Sequence, residues 1–387
     1  MTYAAANDPG STDPVRGAAV ARAPRRTVFA LGRNQGTGPY QSSVPAQIQD
    51  LELHLPGDVA ARVDEATERL SSFDQHALVL LGKDAKTLGP MSSVLLRTEA
   101  TSSSQIENLT VGARELALWQ VKSSTSINAA LVMGNVRATE SALATDEPID
   151  SESILLLHKR LMEETPGCET HAGRYRDELV WVGKSDASPV NAAFVAPQHE
   201  LVPAAMEDLV GFVARGDLPV LVQAAIAHAQ FETIHPFTDG NGRTGRALVH
   251  AILRTKGLCQ NSTAPISAGL LRNTEGYFAS LMAYRNGDAA PIIEAFADAA
   301  WFAAQSGMAL MDELATHLAQ AKENLIGIRS DANAWKVIPL LTSHPALTAP
   351  ALSELAGLAP AAAVRTLNLL EERKILVERS GARRNRV

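Results

Sequence analysis

The sequence is poor in cysteine and contains no long uninterrupted apolar run. Cys168 and Cys259 are the only cysteines in 387 residues, which excludes a disulfide scaffold or a cysteine zinc cluster and suits a reducing cytoplasm. The longest apolar-rich stretch, 289–310, is interrupted by Glu294 and Asp298, so we expect no transmembrane helix and no membrane partner. The first ten residues have neither a basic start nor an apolar centre. We therefore expect no signal peptide and a cytoplasmic location.

The chain also lacks an excess of positive charge. Its formal net charge is −7, so it has no general attraction to nucleic acid or to acidic membranes. With 46% hydrophobic and 20% charged residues, the composition predicts a globular chain of two or three domains.

One segment, 235–246, has an unusual composition. It reads HPFTDGNGRTGR and combines an imidazole, a carboxylate, a carboxamide, glycines and arginines. The apolar spacing of 218–231 predicts a helix that Pro236 ends, and 244–256 predicts a second helix after an Asp-Gly-Asn-Gly loop. The loop therefore lies at a helix N-terminus, where unpaired N–H groups and the helix dipole attract anions. The glycines that would let the backbone approach a phosphate are Gly240, Gly242 and Gly245.

The side chains of this segment suit phosphate chemistry. Arg243 and Arg246 are three residues apart on the predicted helix, so both can clamp phosphates. Asp239 is an oxygen ligand suited to Mg²⁺, and Asn241 can donate to a phosphate oxygen. His235, with an ordinary pKa of ~6.5, can accept a proton at neutral pH. We therefore expect a hydroxyl, deprotonated by His235, to attack the phosphate of a metal-bound nucleotide.

The segment resembles the signature of the Fic (filamentation-induced-by-cAMP) family, His-x-Phe-x-Asp/Glu-Gly-Asn-Gly-Arg-x-x-Arg, with every fixed position present. Fic proteins mostly transfer AMP from ATP to a Ser, Thr or Tyr hydroxyl of a protein and release pyrophosphate. The resemblance implies that His235 is the base and that Asp239 holds Mg²⁺. The family's phosphate-transferring Doc branch has Lys in place of Gly242 and lacks the second arginine, so this sequence favours nucleotidyl transfer. The implied nucleotide-binding residues are Gly240, Asn241, Gly242, Arg243, Arg246 and Tyr277.

Tyr277 enters this set through a predicted helix downstream of the signature. By resemblance, Tyr277 and Leu281 would wall the adenine pocket, although a tyrosine and a leucine at helical spacing also fit an ordinary core. His228 is predicted to be a buried structural histidine and not a second base.

A second informative stretch, 91–109, is predicted to be a helix. It contains Ser103-x-x-x-Glu107-Asn108, which resembles the Ser/Thr-x-x-x-Glu-Gly/Asn motif of the Fic inhibitory helix. The resemblance implies that Glu107 pairs with Arg246 and keeps the ATP γ-phosphate out of its productive position. A carboxylate and a phosphate would compete for the same guanidinium. The alternative is that Glu107 is an ordinary polar residue near a helix end.

The fold class expected from these patterns is mainly α. We expect a flexible lead-in over 1–44, a helical N-terminal region over 45–130, and a Fic core over 131–325. Apolar periodicity predicts helices over 57–73 and over 150–164, the latter capped by Asp150.

A β-prone segment over 173–197 resembles the Fic flap, a small hairpin beside the active site. Its edge could pair with an extended segment of a target protein. The alternative is a structural hairpin that touches no substrate.

The C-terminal part, 330–387, resembles a winged-helix domain. Predicted helices over 335–341, 349–358 and 360–373 precede a strand, turn and strand over 375–387. Its end is basic, which suits DNA, but winged helices also mediate dimerisation or docking, and the acidic charge of the whole chain weighs against DNA.

Three functions therefore remain open at the level of sequence. The leading one is an adenylyltransferase that uses ATP and Mg²⁺ and is silenced by Glu107. The second is removal of AMP at the same site, with Glu107 activating a water. The third is a DNA-binding regulator whose Fic core senses nucleotide. The target, self-modification, nucleotide preference and a homodimer acting in trans also stay open.

Overall fold

The computed structural model describes residues 25–30 and 38–378, except 82–89, 145–146, 164, 166–167, 169 and 184–186. The expected fold class is confirmed: helices dominate, and the described strands form two short antiparallel hairpins. The strands are β1 (Arg25–Ala30), β2 (Gly38–Ser43), β3 (Trp181–Val182) and β4 (Phe194–Val195). The helices are α1 (Gly57–Leu81), α2 (Pro90–Ile106), α3 (Ala113–Gln120), α4 (Ile127–Ala144), α5 (Ser151–Met162), α6 (Val202–Ala214), α7 (Val220–Ile234), α8 (Asn241–Thr255), α9 (Ile266–Leu271), α10 (Thr274–Arg285), α11 (Ala290–Asn324), α12 (Asn333–Val337), α13 (Leu340–Ser343), α14 (Ala349–Ala356) and α15 (Pro360–Glu372).

Helix α7 lies at the centre of the main core. Every residue from Leu221 to Ile234 is buried, because its sequence is apolar or small on nearly all sides and can pack in every direction. It contacts α6, α8 and α11. A central, fully packed helix fixes the position of whatever follows its last turn, and His235 follows it directly.

Helix α2, which contains the predicted inhibitory motif, packs against α4, α8 and α9. It ends at Ile106 and not at Leu109 as predicted, so Glu107 lies in the turn after the helix. Asn108 adopts a left-handed conformation with φ 63°, which asparagine tolerates better than most residues. This explains why the motif ends in a residue type that can leave a helix in this way.

Two other helix boundaries differ from prediction. Helix α1 runs to Leu81, well beyond Phe73. Helix α8 begins at Asn241 and not at Thr244, so part of the expected loop is the first helical turn. The N-cap of α5 is confirmed: Ser153 N donates to Asp150 Oδ1 at 2.8 Å.

Part of 1–44, which we expected to be a flexible lead-in, contains strands. Strands β1 and β2 pair with each other, and β2 lies beside β4. The run Thr27-Val28-Phe29 favours a strand, but the surrounding Ala-, Gly- and Pro-rich composition obscured this signal. Residues 1–24 and 31–37 lie outside the described residues.

The C-terminal helices α12–α15 have a hydrophobic cluster of their own, which includes Val337, Leu352 and Leu370. They contact the main body at α2, where Arg97 Nη2 donates to the Thr342 carbonyl at 2.8 Å. Helices are present at the predicted 349–358 and 360–373, whereas the predicted helix over 335–341 is replaced by two short ones, α12 and α13. Residues 375–378 form no strand, and 379–387 lie outside the described residues. The winged helix therefore stays a prediction. Among the described helices, none is both long enough and apolar enough to span a membrane.

Candidate active site

The site is built at the end of α7. His235 is the residue that ends this helix, and it adopts a left-handed conformation with φ 51° and ψ 61°. Such a conformation is uncommon outside glycine and asparagine, and it persists only where the surroundings impose it. Here the His235 N–H still donates to the Phe231 carbonyl at 2.8 Å, while Pro236 prevents the helix from continuing.

The imidazole of His235 is largely buried, and its surroundings keep it neutral. Burial lowers the pKa of His235 to about 3, and the positive charges of Arg285 and Arg176 contribute to the shift. Its Nδ1 lies 3.7 Å from Glu232 Oε2, too far for a hydrogen bond. The ring of Phe194 on β4 lies edge-on at 6.3 Å between centroids. A neutral imidazole beside the flap is able to accept a proton from an incoming hydroxyl.

Arg176 joins the loop between α7 and α8 to the end of the predicted flap segment. It is buried, and its guanidinium donates to the carbonyl oxygens of His235 at 2.8 Å and Pro197 at 2.7 Å. Its own N–H donates to the Pro236 carbonyl at 3.0 Å. Sequence reasoning missed this residue, because it assigned the stretch 173–183 to a β-prone flap. Arginine beside glycine and tyrosine gives no periodic signal that would predict such a clamp.

The loop between α7 and α8 is closed from within. The side chain of Asn241 accepts from the Phe237 N–H at 2.9 Å and donates to the Phe237 carbonyl at 2.8 Å. The side chain is buried, and donation from Asn241 to a phosphate stays a prediction. Gly240, at φ 74°, precedes it and permits the tight turn into α8.

Two arginines near the start of α8 are bound by one carboxylate. Arg246 Nη2 donates to Glu107 Oε1 at 2.6 Å, and Arg243 Nε donates to Glu107 Oε2 at 3.0 Å. Arg246 also donates to the Ser103 hydroxyl and carbonyl, at 2.8 and 2.9 Å. The predicted contact between Glu107 and Arg246 is present, and Arg243 joins it. Burial lowers the pKa of Arg246, but Glu107, Tyr277 and Glu232 together raise it more, so the net shift is upward.

The glycines of α8 serve close packing. A Cβ atom at Gly242 would collide with Glu107 Oε1 and would lie 2.9 Å from Arg246 Nη1. A Cβ atom at Gly245 would lie 2.9 Å from Cδ1 of Phe231 on α7. The expected role of Gly245 in approaching a phosphate is therefore replaced by a role in packing α8 against α7.

Comparisons with known proteins assign part of the chain to a family. Residues 148–253 match the Fic/DOC family. The chain contains a Fic domain. A stretch of 150 residues is 31% identical to protein adenylyltransferase fic-1 of Caenorhabditis elegans, covering 38% of this chain and 26% of that protein. Another of 145 residues is 30% identical to a probable protein adenylyltransferase of Aquifex aeolicus, covering 37% of this chain and 39% of that protein.

The same fold occurs in a solved structure of a Fic family protein from Desulfovibrio desulfuricans. The TM-score is 0.53 at 22% sequence identity, and the match covers 86% of this chain and 96% of that one. This likeness extends beyond the Fic domain, whereas the matched segment spans only 26% to 39% of the lengths of the curated relatives named above.

The Fic domain also contains a buried carboxyl group that the sequence did not single out. Burial raises the pKa of Glu232 to about 7, although Arg246 and Arg285 act against the shift. Its Oε1 has no hydrogen-bond partner within the described part of the chain. Arg285 donates to the Glu232 carbonyl at 2.9 Å and stacks over Phe194 at 3.6 Å from the ring centroid. The available signal was a single acidic residue in a mostly apolar helix.

Tyr277 lies on α10, in the main hydrophobic core and outside the segment matched to the Fic/DOC family. It is 2% exposed, and its hydroxyl is hydrogen-bonded to His228 Nε2 at 2.7 Å. His228 is fully buried, as predicted for a structural histidine. A contact between Tyr277 and adenine stays a prediction.

Asp239 is the expected magnesium ligand of the Fic domain. Its side chain is 63% exposed, and its Oδ2 lies 3.6 Å from Arg243 Nη2. Within the described residues, no three His, Cys, Asp or Glu side chains cluster as a metal site. A single exposed carboxylate beside Arg243, at the start of α8, fits Mg²⁺, which commonly takes one or two protein ligands and completes its shell with water and phosphate oxygens.

Proposed function

We propose that this protein transfers AMP from ATP to a Ser, Thr or Tyr hydroxyl of a protein, and that Glu107 keeps it largely silent. The observation that supports this most strongly is one carboxylate bound to both arginines of a helix N-terminus, next to a neutral histidine. The adenylyltransferase names of the relatives support the same reaction class.

In the proposed reaction, His235 removes the proton from the target hydroxyl, and the oxygen attacks the α-phosphorus of ATP. A new P–O bond forms, the bond to the β-phosphate oxygen breaks, and pyrophosphate leaves with the electron pair. The low pKa of His235 keeps the base unprotonated before each turnover. It also makes His235 a weak base in the resting state, so proton transfer depends on the negative charge of the bound nucleotide, which favours the imidazolium.

The start of α8 would stabilise the charge that develops on the phosphate. The first intrahelical bond runs from Thr244 N to the Gly240 carbonyl, so the N–H groups of 241–243 have no partner within the helix. Donors of this kind stabilise transferring phosphoryl groups in sites that exclude water. Bound Mg²⁺ would neutralise phosphate charge, and Asp239 is the residue that would hold it.

Silencing follows from competition for the same guanidinium groups. Both arginine side chains are buried, whereas Glu107 is 28% exposed. A phosphate that approaches from solvent meets Glu107 first, and two anions cannot occupy the same volume without strong repulsion. Because Arg–carboxylate and Arg–phosphate pairs have similar geometry, Glu107 must leave before the γ-phosphate can bind there.

The flap would receive the target. Strands β3 and β4 are only two residues long, and Val182 is half exposed. An extended target segment that pairs along this hairpin would pass Phe194 and place its hydroxyl near His235. The basic end of the chain lies beyond the described residues, so no contact supports DNA binding.

The test is transfer of label from ATP carrying a radioactive α-phosphate, with Mg²⁺. We expect Glu107→Gly to label itself or lysate proteins far more strongly than wild type, and Glu107→Gly with His235→Ala to show no label. Equal labelling of wild type and Glu107→Gly would contradict silencing. If all variants bind ATP but none transfers label, incubation with AMP-modified protein separates AMP removal from a sensor role.

A further inference from the structure

Helix α2 presents a row of polar side chains to α8. Glu99, Ser103 and Glu107 are spaced four residues apart, so they follow one side of the helix and its end. Along α8 their partners run in the opposite direction: Glu99 meets His250, Ser103 meets Arg246, and Glu107 meets both arginines. The two helices therefore contact each other through an antiparallel series of polar contacts. Only the end at Glu107 belongs to the candidate active site.

The other end is a buried contact between a carboxylate and an imidazole. Glu99 Oε1 lies 3.0 Å from His250 Nε2, and both side chains are almost completely buried. Ser267, at the start of α9, donates its N–H to Glu99 Oε2 at 2.8 Å and its hydroxyl to Oε1. Glu99 thus joins α2 to two other helices at once.

The protonation of this pair follows from the contacts. Burial alone would raise the pKa of Glu99, but His250 and Ser267 lower it more, and the net shift is downward. Glu99 is therefore ionised, and Nε2 of His250 must carry the shared proton. A buried carboxylate without partners is very costly, whereas this one has three donors. Any sliding or rotation of α2 would remove all three together.

Apolar packing gives the C-terminal part of α2, after Ala100, little support. Residues 101–105 read Thr-Ser-Ser-Ser-Gln, and only Ala100 and Ile106 are buried apolar residues beside them. The neighbouring contact from α4 is neutral: Asn135 Nδ2 donates to the Ala100 carbonyl at 2.8 Å. Since little apolar area holds this part of the helix, its position depends on the polar contacts.

We infer that Glu99 and His250 form a second latch, which fixes the position of α2 and thereby the grip of Glu107 on Arg246. Glu99 and Glu107 are eight residues apart, which is ~12 Å along a helix. Neither latch residue touches the nucleotide site, so both are positioning residues. The inference rests on the proposed silencing by Glu107.

The test combines Glu99→Gln with Glu107→Gly in the full chain. Glu99→Gln alone should raise α-phosphate labelling at least about tenfold over wild type, because loss of a buried ionic contact favours the released position of α2. In the Glu107→Gly background it should raise labelling no further. Glu313→Gln is the matched control, since it removes the same charge from an exposed Glu–His pair on α11. The latch is overturned if Glu99→Gln raises labelling in the Glu107→Gly background as well. It is also overturned if Glu99→Gln alone does not raise labelling.

Variants of His250 separate the contact from the size of the side chain. His250→Leu removes the donor to Glu99 and should activate, whereas His250→Gln retains an N–H donor and should activate less. Equal labelling of the two variants would mean that packing, and not the hydrogen bond, positions α2.

Amide hydrogen exchange tests the latch without any activity. In Glu99→Gln, exchange at 103–109 should be at least about tenfold faster than in wild type, while the amides of α7 keep their protection. Unchanged exchange at 103–109 contradicts the latch even if no variant transfers label. Failure of Glu107→Gly to label, with faster exchange in Glu99→Gln, would instead reject the proposed function and keep the latch. Loss of protection throughout α7 would mean that Glu99 supports the whole fold, and it would overturn the specific role.

Discussion

The carboxylate of Glu107 occupies the space that a side chain at Gly242 would need. Gly242 lies in the first turn of α8, where unpaired N–H groups point out of the helix. The proposed silent state and the proposed phosphate site therefore both require a glycine at this position. A carboxylate that fills this space excludes a phosphate by volume as well as by charge.

Gly242→Ala should loosen Glu107 without activating the protein. The new methyl group pushes the carboxylate away, so amide exchange at 105–109 should become at least about tenfold faster. In the Glu107→Gly background, the same methyl should lower AMP transfer by about a hundredfold, because it obstructs the phosphate-binding amides.

Gly216→Ala is the control for this substitution, since a Cβ atom there meets nothing within 4 Å. If Gly242→Ala increased transfer in the Glu107→Gly background, the phosphate could not lie against the start of α8 as proposed.

Arg176→Lys should lower transfer in the Glu107→Gly background by about a hundredfold, the effect expected when a catalytic group moves by about 1 Å. Lysine retains the charge but cannot bind the carbonyls of His235, Glu178 and Pro197 with one planar group. The measurement is kcat with saturating ATP. Arg174→Lys, two residues away and exposed, should leave kcat unchanged; an equal loss in both variants would argue against the clamp.

In nucleotide-free Glu107→Gly, an NMR titration of His235 should show no midpoint near pH 6.5. Burial lowers the pKa of His235 to about 3, so the folded protein keeps the imidazole neutral from pH 8 down to pH 5 in the absence of nucleotide. The unfolded chain binds a proton below about pH 6.5, so the contribution of His235 to stability falls as the pH falls through that range. If ATP-free titration by NMR gave a midpoint near 6.5, the buried site described here would be wrong.

The buried carboxyl group of Glu232 should give the opposite pH dependence of stability. Its pKa is raised from 4.5 to about 7, so between these values the folded state holds a proton that the unfolded state has lost. Stability must therefore fall as the pH rises through this window. We compare the free energy of unfolding in urea between Glu232→Gln and wild type. The difference, variant minus wild type, should be more positive at pH 8 than at pH 5. The same difference at both pH values would contradict the raised pKa, and Glu313→Gln is the surface control.

The sequence was sufficient where residues act at a fixed local spacing. His235, Arg243 and Arg246 belong to one signature, and the end of a helix at Pro236 brings them around one turn. Ser103 and Glu107 could be matched to this site only through the resemblance, because nothing local connects α2 with α8. Their contact with Arg246 is present in the structure.

The remaining contacts depend on tertiary packing that no local pattern encodes. Asn241 was assigned to a phosphate, but its amide closes the loop on Phe237, a side-chain to backbone contact that asparagine often makes near helix starts. Glu99 and His250 are separated by most of the Fic domain in sequence, and their pairing depends on how α2 packs on α8. The strand β1 was missed because a short β-prone run was read together with its surroundings.

The position of the label in ATP distinguishes AMP transfer from phosphate transfer. Glu107→Gly is incubated with Mg²⁺ and ATP labelled at either the α- or the γ-phosphate, alongside wild type and Glu107→Gly with His235→Ala. We expect α-labelled ATP to label protein strongly only with Glu107→Gly. We expect γ-labelled ATP to label protein with none of the three. Labelling from the γ-phosphate would mean phosphate transfer, and equal labelling of wild type would mean that Glu107 does not silence the site.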